Sequence, residues 1–287
     1  MKTILFENEF NSISISNYPQ SKEEISFWTE NYSNNDKLIL ICNEFLTTKK
    51  LKEFKKLNYY KNCIFLCNSK IEKKLCDDEQ ILSCFINKIC LLNENLFVID
   101  ETIKKEYIGI YSTSFSNRKR LNICKNIKEI SVIFNYKNEL PDFFKTLNII
   151  NDKTIEKENL YKYYNKANFG VSLITQDNSS YVIGEYLLCG LPILTVPSIG
   201  GKNIWLNKYN SILVDPTEES IKLGINACIE NIEKGIFNSE LIRRKQIILV
   251  NEYRTKLIKF LSTLTSLSLE SCKIILDEII NNYHLLK

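Results

Sequence analysis

YYNKANFGVSLITQDNSSYVIGEYLLCGLPILTVPSIGG, residues 163–201, is the stretch whose reading decides the fold. Residues 168–175 form a short apolar run of the length of a buried strand. Asp177-Asn178-Ser179-Ser180 follows, with small polar side chains of the kind that cap a first helical turn, and then a segment of helical spacing that carries Glu185. Gly190 with Pro192 just beyond it is a helix stop, because glycine accepts the left-handed conformation at a helix end and proline cannot continue the helix. Strand, helix and strand in this order predict a crossover between parallel strands. A helix that begins where a strand ends turns its first N–H groups toward the carboxyl edge of the sheet, so the stretch also predicts an anion site suited to a diphosphate. Gly184 weakens that helix by about 1 kcal/mol relative to alanine. It points either to close approach of a ligand or a neighbouring backbone, or to tight packing of helix on strand.

The same alternation extends outward. Further strands are expected at 107–111, 131–135, 147–150, 192–196 and 211–214, each followed by helical spacing. That pattern describes a mostly parallel sheet covered on both faces, with ligands at the carboxyl ends of its strands. In the N-terminal third, strands are expected at 37–42, 62–67 and 88–100, with charged helix-favouring stretches such as 48–57 between them. From residue 239 the chain reads as helical: Leu241, Ile242, Ile248, Leu249 and Tyr253 mark one face, and 271–285 forms a second amphipathic segment. The domains are accordingly placed at 1–105, 106–236 and 237–287, the last a helical extension packing back on the others.

Composition narrows the function. All eight glycines lie between Gly109 and Gly235, so the N-terminal third contains no glycine-rich phosphate loop. Net charge of +4 and a pI near 8.4 are too mild for a nucleic-acid binder, and a small-molecule or saccharide partner is expected instead. Ten cysteines without a C-x-x-C pair read as reduced core thiols, not as a zinc site. The single histidine, His284, is the fourth residue from the end, which argues against a histidine base, a Ser-His-Asp triad or a His-ligated zinc. There is no D-x-D pair to present a metal to a diphosphate, and neither a metal nor a cofactor is expected. No apolar run reaches the roughly 20 residues that span a bilayer, and Glu7 and Glu9 interrupt the N-terminal apolar run too early for a signal peptide. A cytoplasmic protein is expected, with peripheral membrane contact left open.

The segment resembles the donor half of the group-one glycosyltransferases, retaining enzymes of GT-B architecture that use nucleotide sugars. The residues that carry the resemblance are Tyr163-Tyr164, Ala167, the apolar run from Phe169 to Ile174, Asp177, seven residues, Glu185, then Cys189-Gly190, Pro192 and Ile193. Asn117-Arg118-Lys119-Arg120-Leu121 is similar to the family's basic phosphate-holding motif, although cations opening a helix also occur as a solvated surface. Gly200-Gly201-Lys202-Asn203 looks like its glycine-glycine loop, and 210–216 like the strand and turn that follow. The likeness covers about 107–232. Asp177 stands where the family has glutamate, and the N-terminal part lacks the glycine loop and the histidine that relatives place near the sugar.

The resemblance implies an α/β fold with two Rossmann-like parallel-sheet domains, the N-terminal one reduced, and C-terminal helices. It implies transfer of a sugar from a nucleoside-diphosphate sugar to a hydroxyl of a saccharide or glycoconjugate, with retention, in carbohydrate biosynthesis. Lys119, with Arg118 or Arg120, and the amides near Ser179, Ser180 and Tyr181 would stabilise charge on the leaving diphosphate. Glu185 would accept hydrogen bonds from the ribose, Asp177 would orient the sugar, and the base would sit near Ile149 and Ile150. The alternative is a catalytically degenerate partner of another glycosyltransferase.

Overall fold

The computed structural model describes residues 2–7, 12–17, 37–41, 46–57, 60–114, 119–135, 145–177 and 179–281. They fall into two compact units, Met1–Leu92 with Val250–Lys287, and Asn93–Leu249.

The first unit is built on a five-stranded sheet of β1 (Lys2–Glu7), β2 (Ser12–Asn17), β3 (Lys37–Ile41), β4 (Cys63–Cys67) and β5 (Ser83–Phe85), in that spatial order. β1 and β2 are antiparallel and the remaining pairs parallel. Every residue of β4 is buried, as a strand covered on both faces requires. Thr47 caps α1 (Thr48–Phe54), and Ser69 caps α2 (Lys70–Asp78), each side chain accepting an N–H of the first turn. The core gathers Leu38, Leu40, Phe54 and Phe65, the two rings meeting edge to face at 5.0 Å.

The expected strand over 88–100 is absent. Lys88–Leu91 is a 3-10 turn, because the Asn87 side chain accepts the Ile89 N–H at 3.1 Å and so caps a turn at that point. Its apolar residues are nevertheless buried, Ile89 to Leu92 all at 0 % exposure, so the run marks core correctly and conformation wrongly. The strands β1, β2 and β5 were not anticipated.

Glu72, fully buried in the first turn of α2, ties together the chain segments that follow β3 and β4. Its carboxylate accepts the N–H of Asn68 at 2.7 Å and of Leu46 at 3.3 Å. Burial pushes its pKa from 4.5 up to about 7, against the pull of those N–H groups and of the Lys88 charge. A raised pKa means that the native state holds the proton more tightly than the unfolded chain does. The resulting stability is fully present below pH 4.5 and is lost as the pH rises through about 7. Glu72→Gln cannot titrate and should flatten this part of the pH–stability profile, a span on the order of 3 kcal/mol. Urea unfolding of both proteins between pH 4 and 8 checks it, and an unchanged slope in the variant would reject the assignment.

The second unit carries a six-stranded, wholly parallel sheet of β6 (Tyr107–Thr113), β7 (Ile130–Phe134), β8 (Asn148–Ile149), β9 (Ala167–Ser172), β11 (Ile193–Thr195) and β13 (Ser211–Leu213). Two short strands, β10 (Gln176–Asp177) and β12 (Ile199–Gly200), pair separately and in parallel. The spatial order is β13-β11-β9-β6-β7-β8. Numbered by chain position, the six strands lie 3-2-1-4-5-6, the order of doubly wound nucleotide-binding sheets. The helices are α3 (Lys157–Asn165), α4 (Tyr181–Leu188) and α5 (Glu218–Glu233). Helix α6 (Ser239–Thr265) begins in this unit and ends in the first, which also holds α7 (Leu269–Asn281).

Within the first unit, Arg254 of α6 donates to the carbonyls of Cys90 at 2.9 Å and Leu92 at 2.7 Å. The nine described cysteines are free and, except for Cys84, buried. Burial pushes the thiols of Cys63, Cys90, Cys124 and Cys228 up to about 12, which keeps them protonated and unreactive. No described helix is long and apolar enough to cross a membrane.

Candidate functional site

In an open α/β sheet the crevice opens where the strand order reverses, outside the carboxyl ends of the strands. Here the reversal falls between β6 and β9. β9 can approach its covering helix because residue 170 is glycine: a Cβ there would stand 2.2 Å from the Tyr186 ring.

The chain that leaves β6 returns through Lys119 and Arg120, both half-buried. The Tyr111 hydroxyl donates to the Lys119 carbonyl at 2.6 Å and so anchors this turn to its own strand. Arg120 adopts φ 50°, and its Nη2 donates to Thr175 Oγ1 at 3.4 Å. Thr175 belongs to the segment leaving β9, so the bond bridges the two sides of the switch point. Arg118 and Asn178 lie outside the described residues, as does the side chain of Asp177. The backbone of Asp177 pairs with Gly200 in the β10–β12 ladder.

Ser179 is fully buried with φ 82°, and Ser180 is the N-cap of α4 in extended conformation. Tyr181 opens the helix, and the first N–H groups of α4 thus stand at the carboxyl end of β9. The helix ends as its sequence requires, with Gly190 at φ 72°. At its last turn, Arg243 of α6 donates to the Leu188 carbonyl, and also to the carbonyls of Phe97 and Glu94.

Glu185 is on the second turn of α4 and is 1 % exposed. Its Oε2 accepts the hydroxyl of Tyr164, from α3, at 2.9 Å. The neighbouring Tyr186 accepts the Ser112 N–H at 2.7 Å and donates to the Ile110 carbonyl at 3.1 Å, which ties α4 to the end of β6.

One residue carries no role in the sequence reading. Lys202, quoted only as part of the glycine-glycine loop, is fully buried. Its Nζ donates to the Ile174 carbonyl at 2.7 Å and to Thr195 Oγ1 at 3.0 Å, and Thr195 Oγ1 donates to the Ser172 carbonyl at 2.9 Å. These bonds join the carboxyl ends of β9 and β11. Together with the β10–β12 ladder they hold the segment bearing Asp177 from two sides. Beyond β8, a cavity of about 570 Å³ is lined by residues 150–156 with Asn159, Lys162 and Tyr163. That volume lies within the range of small-ligand sites. Among the described residues no group of three His, Cys, Asp or Glu is placed to hold a metal ion.

One mostly parallel sheet and one wholly parallel, doubly wound sheet, with C-terminal helices, give an α/β fold of the GT-B class. Solved structures of similar fold include a sucrose-phosphate synthase from Thermosynechococcus elongatus, with TM-score 0.68 and 14% identity over 88% of this chain and 74% of that one. HepE of Anabaena in complex with UDP-glucose superposes with TM-score 0.65 and 13% identity over 88% and 79% of the two chains. A glycosyltransferase from Rickettsia africae ESF-5 does so with TM-score 0.58 and 12% identity over 95% and 76%. No family model and no curated protein matches the sequence.

Proposed function

We propose that this chain is a hexosyltransferase-type glycosyltransferase that moves a sugar from a nucleoside-diphosphate sugar to a hydroxyl of a saccharide or glycoconjugate. The reaction proceeds with retention and without a metal, in the cytoplasm. The observation that carries the proposal is the Arg120–Thr175 bond, which joins the cationic turn after β6 to the segment between β9 and α4 at one switch point. Cations and helix N–H groups converging on one place suit a diphosphate, whose charge grows as it leaves. The structure of HepE with UDP-glucose supports a nucleotide sugar as donor on this fold.

In this reading Lys119 and Arg120, with Arg118, hold the diphosphate together with the backbone at Ser179, Ser180 and Tyr181. Glu185 accepts the ribose, Asp177 orients the sugar, and the cavity beyond β8 takes the base. Thermal shift with UDP-, GDP-, ADP- and dTDP-sugars tests it, because a ligand at a hundred times its Kd stabilises by about 2.7 kcal/mol. One donor class should raise Tm and release its nucleoside diphosphate. A panel in which no nucleotide moves Tm would end the proposal.

The first unit favours a second reading. Among the described residues, the order β1 to β5 never reverses, so its sheet offers no switch-point crevice of its own for an acceptor. A chain that binds donor and never hydrolyses it would be a degenerate partner of another glycosyltransferase. Donor hydrolysis by the purified chain alone separates the two readings.

A further inference from the structure

The carboxylate of Glu185 is fixed from the protein side. Tyr164, which donates to it at 2.9 Å, is fully buried. Its ring stacks on Phe97 at 6.3 Å and meets Tyr186 edge on at 4.9 Å, so the hydroxyl has one place to stand. The Ser112 side chain acts on the same phenol and lowers its pKa, while the Ser112 N–H donates to the neighbouring Tyr186 hydroxyl at 2.7 Å. Ser112 is the penultimate residue of β6, and the cluster therefore sits at the carboxyl end of that strand, beside the switch point. Burial and then the charge of Glu185 raise the pKa of Tyr164 well above that of an ordinary phenol, which makes it a proton donor throughout the physiological range.

A carboxylate held at one oxygen by an immobile donor has its torsion set, and can meet a pair of vicinal hydroxyls in one orientation. A site built to hydrogen-bond a hydroxyl rejects the analogue that lacks it. We propose that Tyr164 is a positioning residue for Glu185 and that, through it, the site distinguishes a ribonucleoside diphosphate from its 2′-deoxy counterpart. This rests on the reading of Glu185 as the ribose acceptor.

The test uses the full chain and equilibrium binding of the pairs UDP and dUDP, GDP and dGDP, ADP and dADP, taking the pair that binds most tightly. The parent protein should prefer the ribonucleotide by at least about tenfold, the worth of a hydrogen bond to a charged group. Glu185→Gln should bring the preference close to unity. Tyr164→Phe should lower it by about fivefold or more and change affinity for the deoxynucleotide by less than about twofold, a split that general loosening of the core would not produce. Ser112→Ala, which leaves Tyr164 and Glu185 in place, should lower the preference by about twofold and serves if Tyr164→Phe does not fold. Full preference in Tyr164→Phe, or in Ser112→Ala when that variant stands alone, beside loss in Glu185→Gln would overturn the role of Tyr164 and leave the ribose reading intact. Equal binding of both nucleotides by the parent, or full preference in Glu185→Gln, would overturn the ribose reading and this inference with it.

Discussion

Lys119→Ala is expected to lower kcat by about two to three orders of magnitude and to weaken donor binding by about tenfold. A cation aimed at charge that develops in the transition state contributes more to turnover than to ground-state binding, and loss of one such contact has effects of this size. The structure gives the residue a fixed origin: the Tyr111 hydroxyl holds the Lys119 carbonyl, and the next residue, Arg120, is bonded across to Thr175. Lys119→Arg keeps the charge on a longer, planar group and should recover part of the loss. Steady-state kinetics against donor concentration check both variants. Unchanged kcat and KM in Lys119→Ala would remove the residue from the site.

Asp177→Asn should reduce turnover by about a hundredfold while affinity for the free nucleoside diphosphate stays within about twofold. The change keeps size and removes charge, so it disturbs the orientation of a transferred sugar, and small losses of alignment have effects of that order. Free nucleoside diphosphate carries no sugar to orient, so its binding should be indifferent. The backbone at Asp177 is paired with Gly200, and the buried Lys202 bonds Ile174 a few residues earlier, which gives the position a rigid mount. Full activity in Asp177→Asn would assign the sugar contact to another residue. Parallel measurement of nucleotide affinity separates loss of chemistry from loss of the fold.

The doubly wound sheet was legible because its signals are local. Gly190 after α4 acts through backbone geometry within a few residues, and β6, β7, β9 and β11 are short, largely buried runs. The hairpin β1–β2 was passed over although SISISN alternates with the period of a half-buried strand. The run at 88–91 misled because a continuous apolar stretch has no period, and the capping side chain of Asn87 decided its conformation. In the site, strand-end logic placed Lys119, Arg120 and Ser180 at one edge of the sheet. It could not show that Glu185 meets Tyr164, 21 positions away, or that Lys202 is buried, since lysine is ordinarily among the most exposed residues. Both are products of tertiary packing, and neither leaves a trace in local spacing.

The division of the chain bears on the order in which a ribosome can deliver a finished molecule. Asn93–Leu249 is one uninterrupted segment, and all six strands of its sheet are available as soon as it has emerged. Met1–Leu92 emerges first and waits, because the guanidinium that binds the carbonyls of Cys90 and Leu92 belongs to a residue 164 and 162 positions further along. At about 5–20 residues per second that delay amounts to roughly 8 to 33 seconds, during which the turn at 88–91 lacks Arg254 and Phe85 of β5 lacks the Tyr253 ring it meets at 5.8 Å. The nascent chain thus completes its doubly wound half before its leading half. Premature termination near residue 250 would spare the sheet that bears Lys119 and Glu185 and leave the leading segment as the target of chaperones and proteases.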